Sequence, residues 1–454
     1  MKKILLLLVG VPFMAQSQCW DQISSLNNSV LIQKSDGSLW GYGTNNDGSL
    51  GSAIGQINAP VVISADADWA SFSSSPKTSL AIKSDGSLWA WGINANTFGN
   101  GSSSTTPVTS PQIVTQITDV ASVSTDGSAS FAVKQDGSLW AWGSDQYEKL
   151  GLGSGDQTTS SAVQIGTDTD WVSVKTCVYF VLALKSDGTL WGWGRNSAAQ
   201  LGQGYASPGV EPDEVYVAEP VEIGDGAWAQ FCGYERMALA IKTDGTLWSW
   251  GYSGHGALGL GQMAQTVLVP TQIGSDNDWS SVSTAGQVSA AIKTNGALYT
   301  WGIGMAGALG NGSLTWTNVP GQVGTATNWT SVGNSYVCTF ASNSQGQLYD
   351  FGYSGNWGYQ NYYTPLVFTS ADCSLGIGEN PRNFSVWPNP VDRTVSIAFD
   401  GNVEKFRLID ASGRVVIQGS PVQNQIDLAQ LSGGLYFLEI ESDGKSYRTK
   451  LLKK

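Results

Sequence analysis

Few residues in this chain have the chemistry of a catalyst. Its 454 residues include one histidine, His255, set between Gly254 and Gly256. A Ser–His–Asp relay would have to use it, and nothing in the sequence places a nucleophile beside it. Its loop position predicts an exposed surface residue. Zinc needs several His or Cys at ligand spacing, and a phosphate loop needs a Gly-rich run ending in Lys; neither pattern occurs. The repeated aspartates Asp36, Asp85, Asp136, Asp187 and Asp244 each precede a glycine, where Asp-Gly is the choice of a tight turn. A glycosidase needs two unequal carboxylates facing a cleft, and no such pair stands out. Glu211, Asp213, Glu214 and Glu219 lack the fixed ligand spacing of a calcium loop and read as a solvated acidic loop. The sequence therefore predicts no catalytic residue, no metal and no cofactor.

Binding is the better expectation. Aromatic residues that break the repeat pattern described below are Phe98, Tyr147, Tyr205, Tyr216, Tyr252, Trp316 and Trp357. Exposed Trp and Tyr are the usual anchors for a protein or a sugar. The densest group is Trp357, Tyr359, Tyr362 and Tyr363, just before Pro365. With Trp316 these form the candidate ligand site. The competing reading is that they seal an irregular last unit onto the first.

The elements that would position these residues come from one phrase. It reads K-S-D-G-S-L-W-G-Y-G at 34–43 and K-S-D-G-S-L-W-A-W-G at 83–92. Further copies start at Lys134, Lys185, Lys242 and Lys293, and a worn copy spans 343–352. A spacing near fifty residues is the period of a propeller or solenoid array. A tryptophan stands seventeen residues before each turn glycine, at Trp20, Trp69, Trp171, Trp228, Trp279 and Trp329, with Val120 in the third unit. Apolar alternation such as 79–83 predicts a half-buried strand, Asp-Gly a hairpin turn, and 88–92 the return strand. Most units end in a proline-led strand, such as 60–63 or 270–273. Four short strands in each of seven units predict an all-β chain folded as a seven-bladed β-propeller. Sixteen of the nineteen tryptophans occupy three repeat positions, which marks them as inter-blade core.

The phrase A-x-K-x-D-G-x-L-W-x-W-G and a following N-x-x-G-x-L-G trace, clearest at 45–51, resemble the regulator-of-chromosome-condensation repeat family over residues 20–370. The resemblance implies the propeller fold. It says little about function, because such propellers include exchange factors, inhibitors and binding scaffolds.

The two ends suggest a destination. Residues 1–17, with Lys2 and Lys3 before an apolar stretch and a small-x-small site at 15–17, read as a secretory signal peptide. No segment predicts a membrane span. The propeller would occupy 18–373 and a linker 374–381. Cys19 and Cys373 flank the ring and, in an oxidising exterior, predict a disulfide that staples it. Cys177 and Cys232 stand at equivalent places in adjacent units, where pairing is an open alternative, and Cys338 predicts a buried thiol. Residues 18–379 hold 11 Lys and Arg against 28 Asp and Glu. That acidity disfavours nucleic acid and suits a soluble monomer outside the cell.

Residues 382–454 read as a small immunoglobulin-like β-sandwich. The residues Trp387, Pro388, Asn389 and Pro390, the D-A-S-G-R turn with Gly413, the G-G-L-Y run with Gly434 and Tyr436, and terminal Lys453 and Lys454 resemble the type A C-terminal sorting domain of the type IX secretion system. Trp387 stands where that family usually carries tyrosine. The resemblance implies partnership with the secretion machinery of a Bacteroidetes-type cell, passage across the outer membrane and removal of the module. The propeller would then be released or tethered to lipopolysaccharide. A partner among extracellular proteins or glycans is expected, as adhesin or inhibitor. The alternative is an enzyme acting on polysaccharide or peptidoglycan. Guanine-nucleotide exchange is disfavoured, because export removes the chain from a cytoplasmic GTPase.

Overall fold

The computed structural model describes residues 20–26, 29–34, 36–208, 214–335, 338–353, 361–369, 384–387, 391–399, 403–410, 415–421, 425–432, 434–442 and 445–453. The chain divides into two compact units, at 371/372. In the first, twenty-eight strands form seven four-stranded antiparallel sheets, each built from consecutive strands. The seven-bladed propeller expected from the repeat is what the chain forms.

The second blade shows the plan. Trp69–Ser74 is the innermost strand, followed outward by Thr78–Lys83, Leu88–Asn94 and Ser104–Val114. The innermost strands of successive blades pack on one another, and Trp20–Leu26 packs on Trp329–Ser335 to close the ring. Closure uses no exchanged strand: the last blade is Trp329–Ser335, Cys338–Asn343, Leu348–Tyr353 and Asn361–Thr369. Outer strands exceed their predicted length, as with Gly55–Ser64, because the ladder resumes beyond an irregularity between Gly41 and Gly43.

The repeated phrase is a hydrogen-bond relay. Asp136 Oδ1 accepts from the Ser138 backbone N–H at 3.0 Å and its hydroxyl at 2.6 Å, and Ser138 Oγ accepts from Trp140 Nε1 at 2.8 Å. The relay recurs at Asp36–Ser38–Trp40 and, with threonine, at Asp187–Thr189–Trp191 and Asp244–Thr246–Trp248. The worn seventh copy rebuilds it in other residues: Tyr349 Oη donates to Gln347 Oε1 at 2.9 Å. The Ser138 hydroxyl and N–H hold the Asp136 carboxyl below its ordinary range. The turn glycine also carries a packing duty. Gly137 has φ +81°, and a Cβ there would collide with the Thr169 carbonyl of the next blade.

Three of the repeat lysines are held inside the blades by ion pairs and aromatic rings. Lys185 Nζ lies 2.6 Å from Asp168 and 3.1 Å from Asp170, and 4.8 Å from the ring centres of both Trp171 and Trp191. Lys83 and Lys293 are held the same way. Between blades, Trp91, Trp142, Trp193, Trp250 and Trp301 are fully buried. Each indole N–H donates to a backbone carbonyl of the preceding blade, as Trp193 does to Lys149 at 2.6 Å. Side chains of this size dominate core energetics, so these five seal the ring.

Cys177, Cys232 and Cys338 are separate buried thiols, which answers the open pairing of the first two. Burial pushes the Cys177 and Cys338 thiols well up and that of Cys232 up to about 12. Cys19 and Cys373, the 1–17 leader and the 374–381 linker lie outside the described residues.

The second unit has two sheets. One orders Phe384–Trp387, Thr394–Phe399 and Gln425–Asp427; the other orders Val415–Gly419, Lys405–Asp410, Gly434–Ser442 and Lys445–Lys453. Val395, Ile397 and Ile426 of the first share a core with Phe406, Leu408, Leu438 and Leu451 of the second. That is the predicted sandwich. Tyr436 is buried, with its hydroxyl donating to the Ser432 carbonyl at 3.0 Å. Gly434 pairs with Lys453 across the ladder, and Trp387 ends the first strand. Pro388, Asn389, Pro390, Gly413 and Lys454 lie outside the described residues.

Candidate binding face

A four-strand meander sends its turns alternately to two faces. Asp-Gly turns and inter-blade connections share one, the turn face. First hairpins and the loops between third and fourth strands share the other, the loop face. Polar groups of the turn face are spent in the relays and lysine clamps above.

On the loop face the blades differ. In blades 1 to 4 a buried Asn or Asp ties the loop: Asn45, Asn94, Asp145 and Asn196 each accept the backbone N–H of Leu50, Phe98, Leu150 and Leu201 at 2.8, 3.0, 2.8 and 3.0 Å. Over blades 3 and 4, Lys149 Nζ reaches Asp126 Oδ2 at 2.7 Å, Ser128 Oγ at 3.0 Å and the Val178 carbonyl at 2.8 Å. Burial alone would raise the Asp126 carboxyl, but Lys149 holds it below its usual range. Arg195 forks onto Glu214 at 3.1 and 2.8 Å and stacks on Tyr147 and Tyr179 at 5.4 and 5.3 Å; Tyr216 packs on Tyr147. The acidic loop is thus not simply solvated. The Glu214 side chain is fully buried as the ion-pair partner of Arg195, whose Nε donates to its Oε1. Glu219 is exposed, and Glu211 and Asp213 lie outside the described residues.

In blades 5 and 6 the tying position carries Ser253 and Gly304. Ser253 Oγ accepts the Ala257 N–H at 2.9 Å. The His255 ring packs edge-on to Trp316, centroids 4.7 Å apart. His255 is therefore half-buried, not an exposed loop residue, because Trp316 from the next blade covers it; its Nδ1 is enclosed without a partner. Trp316 keeps 37 % of its surface exposed, and Met263, Met305 and Leu314 are exposed around it. The blade 5 loop is closed by the Gly256 N–H donating to the Met263 carbonyl at 2.7 Å, and it meets blade 6 directly, since a Cβ on Gly256 would come within 2.9 Å of Asn318. Beside them lies a recess of about 270 Å³, lined by Tyr234, Glu235, Arg236, Tyr252, Gly254 and Gln287 among others. Glu235 has φ +45°, and burial raises its carboxyl above the usual range. The central channel is a different environment. Its hydroxyls are engaged between blades, as in Ser24–Ser74 at 3.1 Å and Ser124–Thr176 at 3.3 Å.

Of the predicted ligand residues, Trp316 stands exposed on this face. Tyr362 and Tyr363 lie in the outer strand Asn361–Thr369, Tyr362 opposite Gly352. Trp357 and Tyr359 lie outside the described residues. Phe98 is core. Sequence reasoning missed Tyr234, Glu235 and Gln287, which sit in first hairpins. The one available signal was the loss of the tying Asn at positions 253 and 304.

Residues 385–454 match the family model of the secretion system C-terminal sorting domain, and residues 244–292 that of the regulator of chromosome condensation (RCC1) repeat. The mitochondrial RCC1 domain-containing protein RUG3 of Arabidopsis thaliana is 34 % identical over 193 residues, 40 % of this chain and 42 % of that protein. The ultraviolet-B receptor UVR8 of the same plant is 30 % identical over 199 residues, 43 % and 44 % of the two chains. The chain thus spans less than half the length of these relatives. Among solved structures, human WBSCR16 superposes with a TM-score of 0.62 at 19 % identity, over 73 % of this chain and 93 % of that one. Prp20p of Saccharomyces cerevisiae gives 0.61 at 21 %, over 69 % and 79 %. These likenesses show the fold. The C-terminal unit is a type IX secretion sorting domain, so the chain is a secreted propeller protein placed at the cell surface or outside it. No helix among the described residues is long and apolar enough to cross a membrane.

Proposed function

We propose that the propeller is an extracellular binding module that engages its partner through the loop face of blades 5 and 6, after export directed by the C-terminal domain and an N-terminal signal. The observation that carries this reading is Trp316. It is a large aromatic left 37 % exposed on the loop face, where its counterpart in blade 4, Tyr216, packs on Tyr147. Exposed aromatics flanking a concave site are the usual anchors of recognition. The role is binding, not catalysis, and the sorting domain is removed after passage.

The test uses the full chain against immobilised extracellular proteins and oligosaccharides, beside Trp316→Ala and a blade 4 control, Tyr205→Ala. Binding lost only in Trp316→Ala supports the reading; binding equal in all three overturns it. An extracellular enzyme is the second reading. It draws on Glu235, a recess carboxyl raised by burial as general acids are, and predicts turnover abolished in Glu235→Gln.

A further inference from the structure

The first hairpin of blade 5 turns through Glu235 and Arg236, between the paired residues Tyr234 and Met237. Its counterpart in blade 6 turns through Gly286 and Gln287, between Ala285 and Val288. Both turns set their first residue at positive φ, +45° at Glu235 and +61° at Gly286. Blade 6 uses the glycine that such a turn prefers there. Blade 5 keeps a carboxylate in a region strained for any side chain. Neighbouring elements hold that backbone in place. The Glu235 N–H donates to the Cys177 carbonyl at 2.9 Å, Gln200 Nε2 to the Glu235 carbonyl at 3.3 Å, and the Tyr252 N–H to the Arg236 carbonyl at 2.8 Å. The two side chains are left unspent: neither makes an ion pair or a side-chain hydrogen bond with any described residue. Over blades 3 and 4 the charges Lys149, Asp126, Arg195 and Glu214 are all paired. Backbone strain held by its surroundings is characteristic of ligand sites.

The recess of about 270 Å³ lies between these two turns, and Glu235, Arg236, Met237 and Tyr252 line it. Opposite charges that share one small recess without pairing suit a ligand that carries both. Burial penalises the charged form of Glu235 and raises its carboxyl, and a ligand cation would relieve that penalty. Arg236 is exposed, and its planar fork matches a carboxylate. Tyr252, 37 % exposed, and the adaptable Met237 offer apolar contact. The volume is just below the range of roughly 300–1,000 Å³ usual for small-molecule sites, which suits a molecule the size of one residue. The first residue of a peptide brings an ammonium without a free carboxylate, and the last brings the reverse. Only a free amino acid brings both within one residue. We infer that this recess binds a free α-amino acid with a neutral side chain, its ammonium on Glu235, its carboxylate on Arg236 and its side chain against Tyr252. Trp316 does not line the recess, so the amino-acid site goes beyond the loop-face reading and stands without it.

The experiment titrates the full chain calorimetrically with the common amino acids, each also as its N-acetyl and its amide derivative. Variants are Glu235→Gln, Arg236→Gln, Glu235→Gly and Trp316→Ala. The expected result is saturable binding of at least one neutral amino acid, at least tenfold weaker once either ligand charge is blocked. Binding should weaken as much in Glu235→Gln and Arg236→Gln and stay unchanged in Trp316→Ala. Glu235→Gly relieves the strained turn, so it should raise the melting temperature while losing the ligand, which separates a lost site from a lost fold. No saturable binding at millimolar ligand overturns the inference. So does binding that the blocked derivatives or Glu235→Gly leave unchanged. Loss of binding in Trp316→Ala would place the ligand at the indole and overturn the recess as its site.

Discussion

The loop face over blades 3 and 4 and the same face over blades 5 and 6 are built on equivalent strands, yet they end in opposite states. Over the first, Lys149 with Asp126, Arg195 with Glu214, and three tyrosines consume one another. Over the second, Trp316, Met263 and Met305 are left to solvent. A repeat fixes the scaffold, and the loops decide whether a blade junction is sealed or left available. Stability is invested at one junction and held back at its neighbour, as is common where a surface must accept something else.

The largest effect should come from opening the sealed junction. Asp126→Asn leaves Lys149 charged and buried, and should destabilise the propeller by about 3–5 kcal/mol, read by chemical denaturation. If it costs less than Trp316→Ala, the contrast between junctions fails. The same pair makes an acid limb. Since Asp126 is held below its ordinary carboxyl value in the fold, its contribution is complete above about pH 4 and is lost as pH falls through the folded value. Melting temperature followed from pH 7 to 2.5 should fall more steeply in the native chain than in Asp126→Asn.

A mid-sized effect probes the turn face as reference. Ser138→Ala removes the hinge of one relay, with two hydrogen bonds worth about 0.5–1.5 kcal/mol each. Trp316→Ala, by contrast, should change stability by less than about 1 kcal/mol, as expected of a side chain outside the core, while removing ligand binding. The smallest effect sharpens the comparison from the other side. Ser253→Asn restores the tie of blades 1 to 4 and should slow hydrogen exchange at 254–264; no slowing would mean that the tie does not explain the difference.

Much of this was legible in the repeat. Asp-Gly with a seventeen-residue lead from tryptophan gave blade number, strand order and core, since period-two burial and turn chemistry are local. The sandwich strands were legible for the same reason. The site was legible only through Trp316. Gln287 and Glu235 lie in short hairpins whose sequence carries no mark, and Gln287 reaches Tyr252 only because adjacent blades pack side by side. His255 was misread as exposed because its cover, Trp316, comes from the next blade, sixty-one residues on. Glu214 was misread as solvated because its partner Arg195 lies across a loop whose path the sequence does not specify.

By itself the sequence determined a ring of seven meanders, an inter-blade core of tryptophan and an appended sorting sandwich, all consequences of local periodicity and turn preference. Only the tertiary structure decided that the ring closes without exchanging a strand, that Lys83, Lys185 and Lys293 are clamped between paired aspartates and aromatic rings, and that blade 6 leaves an indole exposed over His255. Those outcomes depend on which side chains meet across blades some fifty residues apart, and a chain reads its neighbours along the backbone but meets these only after folding.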